Sequence, residues 1–220
     1  MNIMKKQAQI IILLLLSFFT ASAQESPYQK AMKKEIAKLT STDSLPVLQQ
    51  SANAFGRIAE LNPGEWLPVY YQGLAYTFQA MDKSLSLDKK DEALAKADEL
   101  AQKADALSKN NAEVVALQGF VLMAKLNADA ANRGQSLSGP VLQTFGKVRA
   151  MDPKNPRAYA LTAQMEYGMA KFFGFGTEKA CGYAKESLAI FASQDEPALK
   201  AALMPTWGKG LAEQMARSCQ

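Results

Sequence analysis

The residues best equipped for covalent chemistry are Cys181 and Cys219, in a chain of 220 residues that contains no histidine. The missing imidazole removes the usual general base near neutral pH and the commonest nitrogen ligand for metals. No Ser–His or Cys–His nucleophile can be assembled. Paired carboxylates remain: Asp91-Glu92, Asp98-Glu99 and Asp195-Glu196. They fall on polar helical faces or at helix starts, where acids complement the helix dipole, so a solvated-face reading outweighs a catalytic one. Gly174-Phe175-Gly176 before a helix could hold an anion at the helix N-terminus. It lacks a third glycine and a preceding strand, so a hairpin turn capped by Thr177 is the better reading. The pattern points away from an enzyme, with no metal site and no cofactor implied.

The N-terminus bears on the cysteines. Lys5 and Lys6 precede an apolar run from Ile10 to Phe19, and Ala21-Ser22-Ala23 offers the small residues a signal peptidase reads. The run is shorter than the ~20 residues needed to span a bilayer. Residues 1–23 are therefore expected to be a signal peptide cleaved after Ala23. Residues 24–220 would be periplasmic or secreted, with no stable membrane insertion after cleavage. In an oxidising compartment two cysteines read as a disulfide, Cys181 to Cys219; two small buried thiols are the other arrangement. Losing Lys5 and Lys6 lowers the net charge from +4 to +2. With basic residues dispersed along the chain, nothing favours nucleic acid.

The elements that must position any site are helices throughout. Ser26-Pro27 opens a helix with Tyr28, Met32, Ile36 and Leu39 on one face. Ser44 caps the next, striped by Leu48, Ala52, Phe55 and Ala59. A third runs from about Glu65 to Met81, and Asp91 opens a fourth through Leu107. Further helices are expected at roughly 112–131, 140–151, 156–173, 178–192 and 205–218. Short connectors join them, so 24–220 reads as one all-α domain.

These helices repeat. Phe55-Gly56-Arg57-Ile58, Ala101-Gln102-Lys103-Ala104 and Phe145-Gly146-Lys147-Val148 end successive second helices, 46 and then 44 residues apart. From Leu61, Leu107 and Met151 to Gly73, Gly119 and Ala163 the step is 12 each time. Small residues at Ser51, Ala97 and Val141, four before these helix ends, and Pro63 and Pro153 eight after them, complete the pattern. It resembles the tetratricopeptide repeat. The resemblance implies an α-solenoid of about four helical hairpins with a C-terminal capping helix, entered at Pro205-Thr206-Trp207-Gly208 and anchored by a buried Trp207. It departs from the family at Gln72, Gln118 and Thr162, where leucine is usual, and at Leu122 and Glu166, where an aromatic is usual. The units also exceed the family's 34 residues. The surplus is expected within each unit, as lengthened first helices followed by loops near Ser84–Lys90 and Asn132–Pro140.

By the same resemblance, the concave groove is lined by Leu67, Tyr70, Leu74 and Thr77, then Glu113, Ala116, Phe120 and Met123, then Arg157, Ala160, Gln164 and Tyr167. Its binding residues would be Tyr70, Leu74, Thr77, Phe120, Met123, Arg157, Gln164 and Tyr167. That groove is largely apolar and lacks the carboxylate clamp of chaperone-binding members, so it suits a hydrophobic or amphipathic segment. The implied function is an exported, non-catalytic scaffold for a protein or peptide partner in the cell envelope. The alternative is an envelope glycan-binding module using the aromatic helix around 66–78, with Trp66, Tyr70, Tyr71 and Tyr76. Aromatics at helical spacing are more often core.

Overall fold

A computed structural model describes residues 25–219; the expected signal peptide lies outside them. Ten helices account for the described residues: α1 Pro27–Thr40, α2 Leu45–Leu61, α3 Trp66–Ala80, α4 Leu87–Leu107, α5 Ala112–Ala128, α6 Ala130–Met151, α7 Pro156–Phe173, α8 Glu178–Ser193, α9 Glu196–Ala201 and α10 Lys209–Arg217. No strand occurs among these residues. From α1 to α8 each helix packs on the next in the chain; α3 also meets α5, and α5 meets α7. The odd helices thus share a layer, and α10 closes against α7 and α8.

The caps follow from the sequence. Ser26 accepts from the Gln29 amide while the Gln29 side chain accepts from the Ser26 amide, a complete capping box ahead of Pro27. Asn155 caps α7 through the Ala158 amide, with Pro156 at its first position.

The surplus residues of the long units are placed differently from the expectation. The second helices carry them: α4 has 21 residues and α6 has 22, against 15 in α3 and 17 in α5. The expected loop at 84–90 shrinks to a turn, because Ser86 caps α4 through the Lys89 amide. The expected loop at 132–140 is helix throughout, with Pro140 inside it. Two contacts account for this. Asp129 caps α6 through the Asn132 amide. Arg133 then donates a bidentate pair to Asp91 of α4, at 2.7 and 2.6 Å, and a third bond to the Lys125 carbonyl. That pairing also holds the Asp91 carboxyl below its ordinary range. A well-anchored first turn offsets the one backbone bond that Pro140 removes.

Two glycines test the close helix approach implied by the repeat. A Cβ on Gly119 would stand 2.5 Å from Phe145 Cε1 and 3.1 Å from Thr144 Cγ2. Phe145 is fully buried and has nowhere to retreat. On Gly73 the nearest atoms would be 3.4 Å away, ordinary contact. Gly119→Ala is therefore expected to cost about 1–3 kcal/mol, while Gly73→Ala stays near neutral; urea denaturation of the two variants distinguishes them.

Cys181 and Cys219 form a disulfide, with S–S 2.02 Å and Cα–Cα 5.7 Å, joining α8 to the end of α10. By chain-entropy reasoning, closing its loop constrains the unfolded chain by about 4 kcal/mol. Cys219→Ser should lower stability by up to that amount in thermal melts.

Candidate functional site

The layer of α3, α5 and α7 is where the sequence places its binding residues, and the chain's own C-terminal segment packs on it. Tyr70, Leu74, Thr77 and Phe120 are fully enclosed, and Met123 and Arg157 are 2% exposed. Gln164 and Tyr167 are half-buried. The open groove expected from the resemblance is filled in this region by residues 202–208.

Trp207 is the centre of that plug. Its indole stacks on Phe120 at 5.2 Å between centroids and meets Phe78 edge-on at 6.1 Å. Trp207 Nε1 donates to Tyr70 Oη at 2.8 Å. Arg157 Nη1 donates to the Trp207 carbonyl at 3.3 Å, and its guanidinium lies 5.9 Å from the indole centre. Arg157 Nε in turn donates to Glu113 Oε2 at 2.7 Å, and Arg157 Nη2 donates to Glu113 Oε1, making a forked buried pair. Asn155 Nδ2 donates to the same Oε1 at 2.7 Å. Four residues before Trp207, the Leu203 carbonyl accepts from Tyr71 Oη at 3.0 Å. Leu203 has φ 61°, a left-handed conformation uncommon for leucine. Its side chain is buried, and its carbonyl bond to Tyr71 holds the turn.

Burial raises the pKa values of Tyr70 and Tyr71 well above the usual phenol range, and Tyr28 is pushed up to about 12, by burial first and then by Glu65. A phenol whose folded pKa is raised contributes stability that is complete below its unfolded value, 10.0, and is lost as pH climbs through the folded one. Urea midpoints are therefore expected to hold to about pH 9 and fall steeply above about pH 11. A flat profile across that window would contradict the burial of these rings.

Beside the plug an opening remains. A cleft of about 590 Å³ runs between the α1–α2 turn, the end of α3 and the C-terminal segment. Leu39, Leu48, Phe78, Phe120, Trp207 and Leu211 give it apolar walls; Lys200 and Lys209 stand at its rim beside Asp43, Asp82 and Glu196. Lys200 pairs with Glu196 at 2.7 Å and holds that carboxyl below its ordinary range. Met81, at the mouth, is 43% exposed.

Phe120 and Trp207 are legible in the sequence as packed rings, but the cleft beside them is not, because no local signal shows residues 202–208 turning back across α3 and α5. Of the aromatic set proposed for glycans, Tyr70 and Tyr71 lie in the core, and Trp66 and Tyr76 are half-buried against it. No group of three or more acids or cysteines among the described residues could hold a metal ion.

The chain matches no family model and no curated protein. Among solved structures it is similar to one titled HusA haemophore from Porphyromonas gingivalis, with a TM-score of 0.76 and 25% sequence identity. That match covers 90% of this chain and 95% of the haemophore.

Proposed function

We propose that this protein is an exported, non-catalytic carrier that holds a flat, largely apolar ring system of the porphyrin type in the cleft beside Trp207. The observation that carries the reading is the cleft itself. Its volume falls within the roughly 300–1,000 Å³ of small-molecule sites, and it is apolar inside with a few charges at the rim. A porphyrin of the haem kind has two apolar faces and two carboxylates on one edge. Phe78, Met81 and Leu211 suit the faces; Lys200 and Lys209 suit the carboxylates. The haemophore likeness over nearly the whole of both chains supports this choice of ligand. With no histidine in the sequence and both cysteines bonded, face contacts and rim charges must supply most of the affinity, Met81 being the soft donor at the mouth.

The framework is read as a tetratricopeptide-like stack of about four hairpins with α9 and α10 as its cap. Residues 24–220 would work in the periplasm or outside the cell, where the disulfide is stable. A protein or peptide partner, in this arrangement, would find only the cleft rather than a continuous groove.

Titration of the chain with haem and with its metal-free parent, followed by absorption, tests the reading. Saturable one-to-one spectral shifts are expected, weakened about tenfold by Lys200→Glu with Lys209→Glu. Unchanged ligand spectra at saturating protein would overturn it.

A further inference from the structure

The fold exposes its apolar residues very unevenly. Phe172, Phe173 and Phe175 are 81%, 57% and 70% exposed, side by side at the tip between α7 and α8. Phe172 meets Phe173 edge-on at 5.0 Å, and Phe173 stacks on Phe175 at 5.8 Å. None of the three joins either hydrophobic cluster of the protein. The tip is held in shape: Gly174 takes φ 73° to end α7, and the Phe175 amide donates back to the Ala170 carbonyl at 2.8 Å. Three rings fixed in water at one point ask for an occupant.

We propose that this tip inserts shallowly into the surface of a phospholipid bilayer. The area decides between occupants. At these exposures, three rings of about 150–250 Å² each present roughly 300–500 Å². A second copy packed on the same patch would bury under the roughly 1,000 Å² in total that a specific protein interface needs. A bilayer needs only a protruding apolar tip, and aromatic rings favour its interfacial layer. Lys171 and Lys179 bracket the rings and have stems long enough to reach lipid phosphates. Lys171 now folds over the Tyr167 ring at 5.5 Å, and Lys179 pairs with Glu166 at 2.6 Å. With Glu178 beside them, the tip has little net charge, so insertion of the rings leads and attraction to anionic lipid follows. No helix among the described residues is long and apolar enough to cross a membrane, so the contact is peripheral and reversible.

The test uses the chain from Gln24 onward, which holds every helix described, without any ring ligand, so it is independent of the cleft. Co-sedimentation with phosphatidylcholine vesicles, alone and mixed with phosphatidylglycerol, should pellet the protein in both cases. Phe172→Ser with Phe173→Ser and Phe175→Ser should lower the partition coefficient about tenfold or more, with far-ultraviolet circular dichroism unchanged. Leu61→Ser, which alters an 82%-exposed leucine at the far end of α2, should leave partition unchanged. Should the triple variant misfold, Phe173→Trp still reports: blue-shifted emission quenched by brominated lipid is expected on adding vesicles. Wild-type protein remaining in the supernatant with both lipid mixtures, or a folded triple variant pelleting as wild type does, would overturn the proposal. So would a dimer that the triple variant abolishes in the absence of any vesicle binding, which would assign the tip to a second copy.

Discussion

Replacing Trp207 by alanine is expected to destabilise the protein by about 3–5 kcal/mol and to abolish binding of the ring ligand. The indole is 6% exposed and fills the space between Phe78 and Phe120. Its loss leaves a cavity that two fixed rings cannot close, and it removes the donor to Tyr70 Oη in a fully buried setting. Because Trp207 anchors the turn from Leu203 to Gly208, the cleft wall contributed by Lys209 and Leu211 loses its position with it. The thermal midpoint should drop by roughly 6–20 °C. Trp207→Phe keeps the stacking and loses only the nitrogen donor, so it should fall between. A wild-type melting curve for Trp207→Ala would show that the C-terminal segment does not depend on this ring.

Arg157→Met should cost about as much, roughly 3–5 kcal/mol, for a different reason. Arg157 and Glu113 are both enclosed, with side-chain exposures of 3% and 11%. Removing the guanidinium leaves the carboxylate with Asn155 alone inside a low-dielectric interior. The double variant Glu113→Met with Arg157→Met removes both charges and should recover most of the loss, since two buried charges gain little over well-packed apolar groups. Arg157→Lys should not rescue, because an ammonium cannot make the forked pair and reach the Trp207 carbonyl together. Urea denaturation of wild type, Arg157→Met, Glu113→Met and the double variant forms the cycle; a double variant no more stable than Arg157→Met alone would contradict this account of the pair.

The stacking of helices was legible because it depends on short-range spacing. The constant step from Leu61, Leu107 and Met151 into the next helix marks where neighbouring units touch, and Gly73 beside Leu117 is one such contact. Helix α6 departs from expectation because Gly134, Ser136, Ser138 and Gly139-Pro140 carry loop chemistry, while what holds them helical is Arg133 reaching Asp91 from a different unit. That is a tertiary contact overriding local preference. The bend at Leu203 escaped for the same reason: a leucine at positive φ has no sequence signature, and Tyr71 stabilises it from 132 residues away. Of the eight expected groove residues six are buried, and Trp207 covers Tyr70, Phe120 and Arg157 among them. Equally, Phe172 and Phe173 carry the same helical spacing as buried residues. Only the end of α7, where no further helix covers them, leaves them in water.

A structure of the protein determined with metal-free protoporphyrin bound tests the central claim most directly. The ring should lie in the cleft against Phe78, Met81 and Leu211, with its carboxylates toward Lys200 and Lys209. A ring seated on Phe172, Phe173 and Phe175 instead, or an empty cleft at saturating ligand, would contradict it.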